Sequence, residues 1–77
     1  MTKDMATTEQ SVVGRFQKSM NASIEVSLVN WQDADYLDIR EVVPGDEGFI
    51  FTKKGIRFKR ELVGELIQLL REANRRV

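Results

Sequence analysis

The 77-residue sequence predicts an α+β domain: four antiparallel strands, then one C-terminal helix lying on the sheet. Three observations predict it. Short runs of alternating apolar and polar residues recur between turn-like breaks from Val12 to Phe58. The segment Pro44-Gly45-Asp46-Glu47-Gly48 is a strong turn signal between the last two runs, because proline presets one dihedral and glycine permits positive φ. Beyond Phe58 the apolar spacing changes from two to three and four, and no helical segment separates the strands to make a parallel crossover.

Residues 1–11 are polar and Thr-rich with no apolar period, so they are expected to form a flexible tail ahead of a single domain over 12–77. Val12 to Lys18 reads as the first strand, with Val12, Gly14, Phe16 and Lys18 on one side and Val13, Arg15 and Gln17 on the other. Ser19 to Ser23 is a polar break. From Ile24 to Asn30 the alternation is clearest: Ile24, Val26 and Leu28 are expected to face the core, with Glu25 and Ser27 opposite. Trp31 to Asp35 is a polar link with an aromatic at its start. In the third strand Leu37 and Ile39 are expected to face the core, with Tyr36, Asp38 and Arg40 on the other face. Phe49 to Phe58 is the fourth strand, bent or bulged at Gly55, where the missing side chain allows a close approach. Lys59 to Asn74 is helical, with Leu62, Val63, Leu66, Ile67, Leu69, Leu70 and Ala73 on a face wide for one helix. Lys59 or Arg60 stands where a capping side chain belongs, while Arg71, Arg75 and Arg76 suit the C-terminal end of the dipole.

A chain this short buries proportionally little surface, so its core needs a supplement. The absence of cysteine and histidine excludes disulfides, thiolate nucleophiles, Cys/His zinc sites and imidazole acid–base chemistry. Self-association remains, and Leu62, Leu66, Leu69 and Leu70 are its candidate surface, since the apolar helix face exceeds what covering one sheet requires. The carboxylates lie in turns and on a strand face, with no phosphate loop, nucleophile–base pair or metal-ligand spacing, so neither an enzyme nor a metal or other cofactor is expected. No apolar run approaches the roughly 20 residues of a membrane span, and the first residues lack a signal peptide's apolar stretch.

Twelve basic residues balance twelve acidic ones, so any anion-binding surface must come from segregation of charge rather than its total. Lys53, Lys54 and Arg57 cluster on the fourth strand around Gly55, which would let a phosphate approach, and Arg40 lies on its hairpin partner. The competing reading is a solvated edge guarded by lysines, with Arg40 paired to Asp38 or Glu41. Arg15 and Lys18 are candidates for extending the basic strip. Trp31 shares a strand face with Glu25 and Ser27 and has polar neighbours, which points to exposure rather than the core. Phe49, Phe51 and Phe58, at strand spacing, read as core or subunit interface.

The order Val26-Ser27-Leu28, Trp31, Tyr36-Leu37-Asp38-Ile39-Arg40-Glu41, an acidic glycine-containing turn and Lys53-Lys54-Gly55-Ile56 resembles the single-stranded DNA-binding domain of the transcriptional coactivator positive cofactor four, a family with bacterial and phage members. The resemblance runs from about Phe16 to the end of the helix. It implies a curved four-stranded antiparallel sheet and a long helix, dimerising through both, with a groove that holds unpaired DNA. It places Trp31 where the family has a base-stacking aromatic, Arg40 at the arginine of the strand string, and Lys53 and Lys54 at the basic pair before the glycine. Val43 stands where many relatives have a second aromatic, and Val29, Gln32 and Ala34 replace basic residues around the first. The serine- and lysine-rich tail of eukaryotic members is missing, which favours a bacterial or phage source.

The expectation is therefore a homodimer that binds single-stranded DNA with little sequence preference during transcription, replication or recombination. RNA polymerase or replication proteins are candidate partners, no membrane is involved, and the location is intracellular: bacterial or phage-infected cytoplasm, or the nucleus in a eukaryote. A small dimeric protein-interaction or transcription-regulatory module with little DNA binding is the alternative, which the neutral charge and Val43 favour.

Overall fold

The structure, a computed structural model, describes residues 9–77. Four strands, β1 (Glu9–Ser19), β2 (Ala22–Trp31), β3 (Ala34–Gly45) and β4 (Gly48–Lys59), form one sheet in sequential order, each neighbouring pair antiparallel. A 3-10 turn at Arg60–Leu62 leads into α1 (Val63–Arg76). β1 starts three residues before the expected strand, and the rest of the expected tail lies outside the described residues.

Two of the three connections are set by local chemistry. Between β2 and β3, Trp31 pairs with Ala34 across a two-residue turn in which Gln32 (φ 53°) and Asp33 (φ 65°) are both left-handed. This is the type I′ geometry that matches strand twist, made here without glycine. The expected polar link over 31–35 thus contracts to two residues, and Trp31 is a strand residue. Between β3 and β4, Gly45 pairs with Gly48, whose φ of 124° is left to glycine.

Three irregularities interrupt the ladders: one between Gln17 and Ser19, where Lys18 is inserted, and two that re-aim side chains. In β1, Val12 pairs with Ser27 and Gly14 with Val26, so Val13 is an inserted residue. The bulge places Val12 on the face of Arg15 and Gln17, not with Phe16 as alternation predicts. In β4 the disruption falls before Gly55 rather than at it: Arg40 pairs with Gly55 and Val42 with Phe51, leaving Thr52 to Lys54 opposite Glu41. Thr52 Oγ1 donates to the Glu41 carbonyl (2.8 Å) and accepts from the Lys54 amide (3.1 Å), which satisfies backbone groups the bulge removes from the ladder.

Burial reverses the expected faces of β2. Glu25, Ser27 and Val29 are its most buried strand-interior residues, whereas Ile24, Val26 and Leu28 are only half-buried. The sheet bends toward the Glu25 face: Arg15 on one edge strand reaches Phe49 on the other, although two strands lie between them. The inside of that curve is crowded, and the outside, carrying Leu28, Leu37, Ile39, Ile56 and Phe58 in register, has no second layer over it among the described residues.

The helix does not supply that layer. Contrary to the expectation that it covers the sheet, no residue of α1 is buried, and Leu62, Ile67, Leu69 and Leu70 are exposed, Leu69 by 69%. Among the described residues the buried apolar ones are Ala22, Val29, Leu37 and Val42. The helix begins without a side-chain cap, as its first residues suggest, and ends with Arg75 and Arg76 paired to Glu72 at 3.3 and 3.0 Å. No helix among the described residues is long and apolar enough to cross a membrane.

Candidate nucleic-acid interface

The concave face gathers most of the candidate residues. Strand register sets its rows: Arg15 faces Glu25, which faces Arg40, which faces Gly55; beside them Ser27 faces Asp38, which faces Arg57. Charges of opposite sign thus alternate across the sheet, and two carboxylates at its centre are almost fully buried. A buried carboxylate is retained only when donors surround it.

Asp38 has three such donors. Arg40 Nε and Nη2 bind its two oxygens at 3.0 and 2.9 Å, and Arg57 Nε reaches Oδ1 at 3.2 Å. Burial acts to raise the Asp38 pKa, but the hydrogen bonds and charges of Arg40 and Arg57 outweigh it, so the group lies below its ordinary value of 3.8. The same hydrogen bond raises Arg40. Arg40 Nη1 also donates to the Thr52 carbonyl at 2.9 Å, tying the arginine to the β4 bulge. The paired reading of Arg40 holds, with Asp38 and not Glu41 as partner.

Glu25 is held by Arg15, whose Nε and Nη2 reach Oε1 at 3.0 and 2.7 Å, and by Ser27 Oγ, which donates to Oε2 at 3.3 Å. The Arg15 guanidinium lies 4.3 Å from the centre of the Phe49 ring. Phe49 is exposed, so it belongs to this face rather than to a core.

Trp31 ends β2 on the same face and is 43% exposed, in agreement with the sequence reading. Its ring lies 6.4 Å from that of Tyr36, tilted by 54°. Tyr36 is not among the candidates drawn from the sequence, although alternation places it on the face of Asp38 and Arg40, which is the signal that could have found it. Lys53 and Lys54 are exposed on the β4 bulge, and no carboxylate among the described residues lies within ion-pair distance of either.

Two candidates are placed differently from the expectation. Lys18 pairs with Glu41 at 2.6 Å, and Glu41 is in register with Ile24 on the opposite face, so Lys18 does not extend the row of Arg15. That hydrogen bond, with the charges of Lys18 and Lys54, holds Glu41 below its ordinary value against a smaller opposing effect of burial. Gly55 does not leave room for a phosphate: a Cβ there would stand 2.8 Å from the Ile39 carbonyl oxygen and 2.9 Å from Arg40 Cζ. The space is filled by Arg40, so the glycine serves the arginine's path across the sheet.

Fold and face together define a class: an open single-sheet domain with an aromatic and arginine-lined concave surface, built to present a surface rather than enclose a pocket. The model of the Transcriptional Coactivator p15 (PC4) family matches residues 18–69. The chain belongs to that family, which is a DNA-binding, coactivator-type family. Two crystal forms of a PC4 homologue from Burkholderia pseudomallei share the fold. The orthorhombic form is 32% identical with a TM-score of 0.79, covering 87% of this chain and 92% of that one. The tetragonal form is 31% identical with a TM-score of 0.76, covering 86% and 98%. No curated protein matches the sequence significantly.

Proposed function

We propose that the protein is an intracellular, non-enzymatic homodimer that binds single-stranded DNA with little sequence preference, in transcription, replication or recombination. One observation carries this reading: the Trp31–Tyr36 pair lies on the same concave face as Arg15, Arg40 and Arg57, beside the exposed Lys53 and Lys54. Aromatic rings accept any base by stacking, typically for about 1–3 kcal/mol per base, and cations in a row follow a backbone. The neutral net charge is compatible with it because the arginines of that face outnumber its buried carboxylates, three against two, before the lysines are added. Family membership supports DNA binding, and the uncovered apolar surface of the sheet and of the helical segment, with Leu62, Leu69 and Leu70 exposed and Leu66 half-buried, supports a second subunit. RNA polymerase and replication proteins are partners consistent with this role. The neutralising carboxylates favour a second reading, a dimeric protein-interaction module with little DNA binding.

Titration of the full chain with an unstructured oligonucleotide and then its duplex, following fluorescence of the single tryptophan at low and moderate salt, separates the two. Quenching by the single strand, a weaker duplex response and loss with salt support DNA binding. No binding at low salt sinks it and leaves the interaction module.

A further inference from the structure

The two arginines that share Asp38 are not equivalent. Every nitrogen of the Arg40 guanidinium already donates inside the protein: Nε and Nη2 to Asp38, Nη1 to the Thr52 carbonyl. Of its five N–H groups two are left, on a side chain only 21% exposed. Arg57 donates to Asp38 through Nε at 3.2 Å, and among the described residues its Nη1 and Nη2 have no partner. That side chain is 42% exposed, twice as much as Arg40. Binding by Nε alone leaves the Nη1 and Nη2 donors, a pair that can match two oxygens of a phosphate, without a partner among the described residues.

We propose that Asp38 is a positioning residue that fixes Arg40 and Arg57 as one unit, in which Arg57 supplies the phosphate contact and Arg40 braces the unit against the β4 bulge. The inference rests on the single-strand reading above and assigns roles within its site. Asp38 cancels one of the two positive charges and delivers the other at a defined place. A free arginine must be ordered when phosphate arrives, whereas Arg57 is already held at its inner nitrogen by a carboxylate that is itself 2% exposed and tied to a neighbouring strand. Gly55 completes the arrangement, since a side chain there would displace Arg40 from the path that leads it to Asp38 and Thr52.

The test is fluorescence anisotropy of a 5′-labelled oligo(dT) of about 20 nucleotides across a potassium chloride series, with the full chain and four variants. Each phosphate contact on a single strand contributes about 0.7 to the slope of log K against log salt. Arg57→Gln is expected to flatten the slope by about that amount, whereas Arg40→Gln weakens binding with the slope kept. Arg57→Lys retains the charge but cannot offer the fork, and is expected to bind at least about fivefold more weakly than wild type. Asp38→Asn adds a net positive charge, so a purely opposing carboxylate predicts tighter binding; a positioning one predicts weaker binding and a flatter slope. Tighter binding by Asp38→Asn, or Arg57 variants that match wild type in affinity and slope, would overturn the assignment. If the buried Asp38 variant does not fold, the partly exposed Arg57 pair decides alone. Failure of the wild-type protein to bind oligo(dT) at low salt removes the single-strand reading itself, and the assignment with it.

Discussion

The Arg15 guanidinium sits 4.3 Å above the centre of the Phe49 ring while its Nε and Nη2 hold Glu25, so one side chain of β1 joins a neighbouring carboxylate to an aromatic ring of β4. The two edge strands are thereby connected across the concave face without pairing. Arg15→Met and Phe49→Leu, alone and combined, are expected to show a coupling of about 0.5–1 kcal/mol in urea unfolding, the range of an exposed cation–π contact. Additivity of the two changes would remove this contact from the forces that curve the sheet.

The turn at Gln32 and Asp33 carries strain that the sequence does not relieve. Both residues have left-handed dihedrals that glycine and asparagine adopt at lower cost. The double substitution Gln32→Asn with Asp33→Gly is expected to raise stability by about 1 kcal/mol, read as a higher thermal midpoint at equal protein concentration. Trp31, the preceding residue, keeps its place, so affinity for oligonucleotide should be unchanged.

Gly55→Ala forces a methyl group against the Ile39 carbonyl and the Arg40 guanidinium. The carbonyl cannot yield as a flexible side chain would. A loss of about 1–3 kcal/mol in denaturant unfolding is expected, as for other overpacked positions, together with weaker DNA binding because Arg40 shifts.

Acid should expose the Asp38 network. Its folded pKa lies below its ordinary value of 3.8, so its contribution to stability is fully present above that pH and is lost as pH falls through the folded value. Glu41, lowered from 4.5 by Lys18, adds a loss of the same sign. Urea midpoints should hold from pH 7 to about pH 5 and drop below pH 4, and Asp38→Asn should flatten that drop. An equal acid loss in the variant would mean that other carboxylates carry the dependence.

If the uncovered leucines of α1 meet a second chain, the thermal midpoint should rise with protein concentration by mass action. Leu69→Glu is expected to abolish that rise and to halve the mass measured in sedimentation equilibrium. A wild-type mass of one chain at micromolar concentration would contradict the dimer.

The strands, their order, the turn at Pro44 to Gly48 and the C-terminal helix were legible because each follows from local period and turn chemistry. What alternation could not show was curvature. Glu25 and Ser27 alternate with Ile24, Val26 and Leu28 as a solvent face would, yet they end up more buried, since the sheet bends over them and leaves the apolar face uncovered. The Val13 bulge was hidden for a similar reason: one inserted residue leaves composition unchanged and moves Val12 to the other face. At the site, Trp31, Arg40 and Arg57 were legible as types. The hold of Asp38 on Arg40 lies within one strand and alternation already parts Lys18 from Arg15, whereas the hold of Asp38 on Arg57 and the pairing of Lys18 with Glu41 depend on register between strands.

The alternating charges also act before anything is bound. A slip of β3 by one residue would turn Asp38 and Arg40 toward Val26 and Leu28, and bring Leu37 and Ile39 against Glu25 and Ser27. Such a slip carries the Asp38–Arg40 pair, which shares one strand, onto the apolar face and sets Leu37 and Ile39 against the Glu25 carboxylate, an exchange far costlier than a mismatched pair of aliphatic side chains. The ionic rows therefore proofread strand alignment while the chain folds, which a purely aliphatic sheet of interchangeable valines and isoleucines would do poorly.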